Sequence, residues 1–113
     1  MELHGEWLYI GVGDGASGPD DLRASEAQLR EPDRGAILRW RTGTDEWEVV
    51  ANGLRNPWGW TLYEGWLYIG DVGHGQWEEV NVARVDSNPN FGWPVYEGFT
   101  CLVDKGAVCA GAR

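Results

Sequence analysis

The pentapeptide Trp7-Leu8-Tyr9-Ile10-Gly11 recurs unchanged as Trp66-Leu67-Tyr68-Ile69-Gly70, with the two copies starting 59 residues apart. Each copy follows a Gly/Glu dipeptide and runs into a loop rich in glycine and aspartate. Identical segments in matching contexts indicate two equivalent structural units, although a chance likeness between two strands is the alternative. Their aromatic and β-branched content is typical of strands.

Alternating hydrophobicity extends this pattern along most of the chain. Thr42–Asp45 and Glu64-Gly65 have the composition of hairpin turns. Residues 20–34 are charged, with at most one helical turn around 24–29, and are predicted to form a long inserted loop. Residues 86–94 and 99–113 are also predicted as loops. Six strands are predicted: Trp7–Val12, Ala36–Arg41, Trp47–Asn52, Trp58–Tyr63, Trp66–Val72 and Glu78–Arg84.

Short antiparallel strands in meander order, in a unit of roughly 45 residues plus one insertion, are typical of β-propeller blades. The strands would be the second to fourth of one blade and the first to third of the next. The predicted division falls between residues 1–54, the end of one blade with its inserted loop, and residues 55–113, the following blade with a C-terminal loop. A β-sandwich is the rival architecture, but it would leave aromatic faces and strand edges open.

Composition limits the classes of function. The 113 residues carry a net charge of −9, which would repel nucleic-acid phosphates. Acidity suits a cation such as Ca²⁺, although a merely solubilising surface is the commoner reason for it. No apolar run approaches the ~20 residues of a membrane span, and no leader peptide is recognisable, which fits a chain whose beginning is missing.

Two cysteines, Cys101 and Cys109, lie close together in the sequence. Their spacing predicts a local disulfide and an oxidising compartment, with two free thiols as the alternative. The absence of a CxxC pair or a Cys/His cluster argues against a zinc site.

The motif with the highest density of residues that could bind a ligand is Gly53–Gly59. The guanidinium of Arg55 is a planar fork of donors that suits carboxylates and quinone oxygens. Asn56 adds a donor and an acceptor, and Pro57 favours an extended Asn56. The alternative is a structural arginine that pairs with a nearby acid.

Several motifs together resemble the glucose/sorbosone dehydrogenase family, which includes soluble quinoprotein glucose dehydrogenase and aldose sugar dehydrogenases. The resemblance covers nearly the whole chain, in the order of the family. It implies a six-bladed β-propeller, of which this chain supplies about one and a half blades, with pyrroloquinoline quinone and Ca²⁺ bound at one end of the central channel. The motifs are Leu8–Gly15, Ala36–Arg39, Gly53–Gly59, Ile69–Gly73, Trp77–Asn81, Asn90–Pro94 and Glu97-Gly98.

The resemblance also assigns residues to the cofactors. Arg55 and Asn56 match the pair that contacts the quinone, and Gly73 and His74 match a loop whose main-chain carbonyls bind its Ca²⁺. Carbonyl oxygens are suitable ligands for this cation, so the side chain of His74 need not matter. For Gly73, a plain turn glycine is the alternative.

A second, structural Ca²⁺ is implied by Glu79 and by the main-chain oxygen of Phe91. A solvated or paired acid at the end of a strand is the alternative for Glu79. Two departures from the family pattern are Gly35-Ala36, where Gly-Lys is usual, and Ser87–Asn90, where Gly-Gly-Asn is usual.

The activity implied is oxidation of an aldose at C1 by hydride transfer to the quinone, with a histidine as general base. His4 lies too close to Tyr9 and lacks a preceding asparagine, so it is predicted to be a turn residue, and no catalytic residue is assigned within the chain. A sugar, an electron acceptor and a periplasmic or extracellular location are expected, and a homodimer is left open. The alternative is a non-catalytic extracellular propeller that binds proteins or glycans.

Overall fold

The structure is a computed structural model that describes residues 1–15, 34–73 and 78–93, together with the backbone of 96–97 and 100–101. It is all-β, and the described residues contain no helix, so none among them could cross a membrane as a helix. The described residues form nine strands: β1 (Glu2–His4), β2 (Trp7–Val12), β3 (Ala36–Arg41), β4 (Trp47–Ala51), β5 (Pro57–Tyr63), β6 (Trp66–Asp71), β7 (Glu79–Arg84), β8 (Tyr96–Glu97) and β9 (Thr100–Cys101).

The strands form antiparallel sheets in meander order. The first sheet has the order β1-β2-β3-β4, the second β5-β6-β7, and β8 pairs with β9 in a two-stranded third. Both copies of the pentapeptide are the second strand of their sheet, β2 and β6, so the predicted equivalence of the two units is observed. Within the part of the chain that the structure describes, these sheets do not close a ring.

The strand predictions are confirmed for β2 and β3 residue for residue, and the others differ by one residue at an end. Two expectations were wrong. His4 is not a turn residue but the last residue of β1, paired with Trp7, because a three-residue strand is too short to show alternation. β9 lies within a stretch predicted as loop, since a two-residue strand has no periodicity either.

The hairpin turns follow the stereochemistry of short loops. Glu64 and Gly65 both have positive φ, 49° and 78°, which a type I′ turn between β5 and β6 requires. This turn brings Tyr63 opposite Trp66 and sets the register of the second sheet. Register then decides which side chains share a face, because residues alternate across a strand.

The two large sheets pack face to face. We call the face that carries the Trp and Tyr of the pentapeptide the Tyr face, and the face that carries its Leu and Ile the Leu face. The Tyr face of the first sheet contributes Tyr9 and Ile37 to the core, and the Leu face of the second sheet contributes Leu67 and Ile69. All four are buried, and Trp60 and Leu62 of β5 pack against them. Apolar burial of this kind is the main stabilising term in the fold.

Candidate functional site

The candidate site is the linker 52–56, which connects the two large sheets. The amide of Leu54 donates to the carbonyl of Gly35 at 3.0 Å, next to the start of β3. The Asn56 carbonyl accepts from the amide of Val72 at 2.9 Å, just beyond the end of β6. The linker therefore joins the two sheets, and its backbone is hydrogen-bonded to a segment from each of them.

Gly53 is required for this crossing. Its φ is +71°, and a Cβ there would lie 2.6 Å from the Gly92 nitrogen and 2.8 Å from that of Phe91. The amide of Trp93 donates to the Gly53 carbonyl at 2.9 Å. Only glycine allows so close an approach of two backbones with this dihedral angle. The glycine thus brings the segment 91–93 against the linker.

The guanidinium of Arg55 is held by the loop that follows β6. Its Nη1 donates to the carbonyl of Val72 at 3.1 Å and to that of Gly73 at 3.0 Å. The guanidinium carbon lies 5.7 Å from the centroid of the Trp93 ring, within range of a cation–π interaction. Its Nε is buried and has no hydrogen-bond partner among the described residues. A buried donor without a partner is uncommon and costs free energy, which marks this arginine as a candidate functional residue.

Asp71 holds the backbone of the same linker. Its carboxylate accepts from the Arg55 amide at 3.1 and 3.2 Å and from the Asn56 amide at 2.7 Å. The residue is only 5% exposed. Burial raises the pKa of Asp71 to about 6, aided by the nearby charge of Glu79, against the two amides and Arg55, which favour the ionised form. An acid with a shifted pKa next to an arginine is a common feature of functional sites and of structural ion networks.

Asp14 and Trp93 support the other side of Arg55. The amide of Asp14 donates to the Arg55 carbonyl at 2.7 Å. The Trp93 indole N–H donates to Oδ2 of Asp14 at 2.6 Å, and both residues are buried. This pair fixes the ring that lies beside the guanidinium.

Asp14, Asp71 and Trp93 belong to the site although the sequence motifs did not predict it. The available signal was a Gly-Asp dipeptide near the end of each pentapeptide strand: Gly13-Asp14 follows β2, and Gly70-Asp71 ends β6. Acids at the ends of equivalent strands lie at the same end of packed sheets, and a buried carboxylate there needs donors. What the sequence could not indicate is that those donors are backbone amides of the linker.

The two predicted quinone-binding residues are adjacent but differ in environment. Arg55 is half-buried, whereas the side chain of Asn56 is exposed. Asn56 Oδ1 lies 3.6 Å from the position that a Cβ on Gly13 would occupy, which is an ordinary van der Waals distance. Asn56 is therefore free to contact a ligand above the linker, next to the guanidinium.

Of the predicted Ca²⁺ ligands, Gly73 lies in the site. Its carbonyl accepts from Arg55, and its amide donates to Glu78 Oε2 at 2.8 Å. His74 lies outside the described residues, so its prediction stays open. Among the described residues, no three His, Cys, Asp or Glu side chains cluster in a way that could hold a metal ion.

Glu79 and Phe91 have different partners, and the second of them contacts the linker. Glu79 is the first residue of β7, opposite Asp71, and accepts from Asn81 Nδ2 at 3.0 Å. The Phe91 amide donates to the carbonyl of Asn52 at 3.0 Å, and its ring packs against the core. The predicted Cys101–Cys109 disulfide involves Cys109, which lies outside the described residues.

Comparison with known proteins gives no assignment. No model of a known protein family matches this chain, and a search of the solved structures found no match either.

Proposed function

We propose that this chain belongs to a six-bladed β-propeller that oxidises an aldose at C1 with pyrroloquinoline quinone and Ca²⁺, and that the Arg55 site is where the quinone binds. The support for the architecture is that two identical strand segments occupy equivalent positions in two meander sheets packed face to face. Propeller blades are related in this way.

The single observation that carries the proposal is the environment of Arg55. One nitrogen of the guanidinium is anchored by two carbonyls, while Nε is buried and has no partner among the described residues. A fixed cation with an unused donor fits a ligand with carboxylate and carbonyl oxygens, which the quinone has. The exposed amide of Asn56 next to it adds a donor and an acceptor.

The bound quinone would accept the hydride of the sugar. The residues of this chain would bind and orient it: Arg55 and Asn56 through side chains, and Gly73 and His74 through main-chain carbonyls to its Ca²⁺. A carbonyl oxygen has two lone pairs, so Gly73 can accept from Arg55 and still ligate a cation. Two neighbouring positive charges then need an anion nearby, which the carboxylates of the quinone supply. Glu79 and Phe91 are proposed for the second Ca²⁺.

Quinone binding tests the proposal directly. The chain is titrated with pyrroloquinoline quinone in the presence and absence of Ca²⁺, and tryptophan fluorescence or calorimetry measures the Kd. Loss of one charge-assisted contact in Arg55→Ala should weaken binding roughly tenfold or more, since such bonds contribute about 1.5–3 kcal/mol. Arg84→Ala, an exposed arginine at the far end of β7, is the matched control and should bind normally.

Asn56→Ala provides a second variant in case Arg55→Ala does not fold. The Asn56 side chain is exposed, so its loss leaves the core intact, and it should also weaken quinone binding. Equal affinity in wild type and both variants, or no binding with Ca²⁺ present, would refute the proposal.

A non-catalytic propeller is the second candidate, favoured by one observation. The guanidinium of Arg55 is already held by the carbonyls of Val72 and Gly73 within its own unit, which is what a purely structural arginine does. In that case the quinone does not bind, and Arg55→Ala lowers only the free energy of unfolding. The larger protein would then show no dye-linked sugar oxidation with quinone and Ca²⁺ added.

A further inference from the structure

Trp93 contacts Arg55 directly through its ring and indirectly through Asp14. The ring centroid lies 5.7 Å from the guanidinium carbon. The indole N–H donates to Oδ2 of Asp14 at 2.6 Å, and the Asp14 amide donates to the Arg55 carbonyl at 2.7 Å. Three segments remote in sequence therefore meet at one side chain: the loop after β2, the linker 52–56 and the segment after β7.

The hydrogen bonds of the Arg55 side chain do not by themselves fix its guanidinium. Both bonds that the structure describes come from Nη1, which donates to the carbonyls of Val72 and Gly73. A planar group held at one nitrogen can still tilt about that point, and the side chain that carries it is long and flexible. An aromatic ring beside the guanidinium restricts this tilt, because the cation–π attraction favours one arrangement of the two groups.

Trp93 is itself held firmly enough to act in this way. The residue is 2% exposed, and its amide donates to the Gly53 carbonyl at 2.9 Å. A buried indole N–H needs an acceptor, and the carboxylate of Asp14, which is 4% exposed, provides a charge-assisted one. Phenylalanine would supply a ring without this bond, so the indole N–H sets the orientation of the Trp93 ring.

We propose that Trp93 is a positioning residue for the quinone: with its N–H bonded to Asp14, its ring holds the guanidinium of Arg55 in the orientation that receives the ligand. The inference rests on the proposed function and adds to it a buried residue that acts through Arg55. Trp93→Phe should weaken quinone binding about fivefold, which is within the range of a cation–π contact.

Hydrogen exchange at Nε of Arg55, followed by NMR on the chain without quinone, measures how firmly the guanidinium is held. Trp93→Phe should raise the exchange rate about tenfold, because local opening no longer has to break the bond to Asp14. Asp14→Asn keeps an oxygen acceptor for the indole, so its exchange should be slower than that of Asp14→Ala. Trp60→Phe is the matched control, since Trp60 packs against the core and the same substitution there should leave this rate unchanged.

Titration with pyrroloquinoline quinone and Ca²⁺ tests whether Trp93 acts through Arg55. Trp93→Phe and Arg55→Ala should each weaken binding, whereas Trp60→Phe should bind normally. The double variant of Trp93 and Arg55 should bind no more weakly than Arg55→Ala alone, because the ring then has no guanidinium to hold. A purely structural tryptophan would weaken binding by the same factor in both backgrounds.

Wild-type exchange at Arg55 in Trp93→Phe, an unchanged quinone Kd in that variant, or equal losses in the two backgrounds would overturn the proposal. The exchange measurement needs neither the quinone nor Arg55→Ala, so it decides the proposal even where that variant does not fold. If the wild type binds no quinone with Ca²⁺ present, the proposed function fails, and the exchange rates still decide whether Trp93 holds Arg55.

Discussion

Leu67 and Leu8 occupy the same position in identical pentapeptides, yet Leu67 is fully buried and Leu8 is only partly covered. The tyrosines show the opposite pattern, since Tyr9 is buried and Tyr68 is exposed. Local sequence cannot account for either difference, because it is the same in both strands. The comparison shows that burial of a strand residue depends on which face of its sheet another sheet covers. In this chain the Tyr face of the first sheet packs against the Leu face of the second.

The largest expected difference is between the two leucines. Leu67→Ala should lower the free energy of unfolding by about 4 kcal/mol, because it leaves a cavity in the core between the sheets. Leu8→Ala should cost about 1 kcal/mol, since its side chain is only partly removed from water. Urea denaturation of both variants, under conditions where the wild type is monomeric, measures the difference. Equal losses would mean that the two Leu faces are covered alike.

Asp71 follows the second pentapeptide where Val12 follows the first, and its titration should be visible in the stability. The pKa of Asp71 is raised by burial from 3.8 to about 6, so the folded state binds the proton more tightly than the unfolded state. The stabilisation from this proton is complete below about pH 4 and is lost as the pH rises through 6. This stabilisation amounts to about 3 kcal/mol, because each tenfold change in proton affinity is worth about 1.4 kcal/mol.

The control for that titration is Asp71→Asn, which keeps an oxygen acceptor for the amides of Arg55 and Asn56 but does not ionise. The stability of the wild type relative to this variant should fall as the pH is raised from 4 to 7, as measured by urea denaturation at each pH. A relative stability that rises with pH would mean that the amides dominate and that the pKa is lowered.

The smallest effect expected concerns the glycines that end the two pentapeptides. Gly11→Ala forces a Cβ against the Trp60 ring, which should cost about 2 kcal/mol, typical of an overpacked interface. Gly70→Ala meets only ordinary contact and should cost less than about 1 kcal/mol. Thermal unfolding of both variants decides the comparison, and a Gly70→Ala variant as unstable as Gly11→Ala would show that another surface covers that face.

The strands were predictable because their periodicity is a local property. β2 is a six-residue run of non-polar residues with a Trp and a Tyr, β3 alternates only over its last four residues, and the ends of both strands coincide with a glycine or a charged turn. β1 was missed because three residues are too few to show a period, although its pairing with β2 is as regular as any other. The pairing of β1 depends on the neighbouring strand and not on its own sequence.

The site was predictable only in part. Arg55 and Gly73 were expected near one another, and a hydrogen bond of 3.0 Å joins them. The roles of Asp14, Asp71 and Trp93 were not foreseen, because each acts on a residue remote in sequence: Trp93 donates to Asp14 across 79 positions. Contacts of this length are set by how the two sheets pack and not by any motif.

By itself, the sequence determined the all-β class, the six longer strands and the equivalence of two units, because alternation, turn residues and an exact repeat are all readable along the chain. The tertiary structure alone decided which of two identical tyrosines is buried and which acids surround Arg55. The physical reason is that burial and hydrogen bonding depend on what packs against a strand. The same five residues can be covered by another sheet in one place and exposed to water in another.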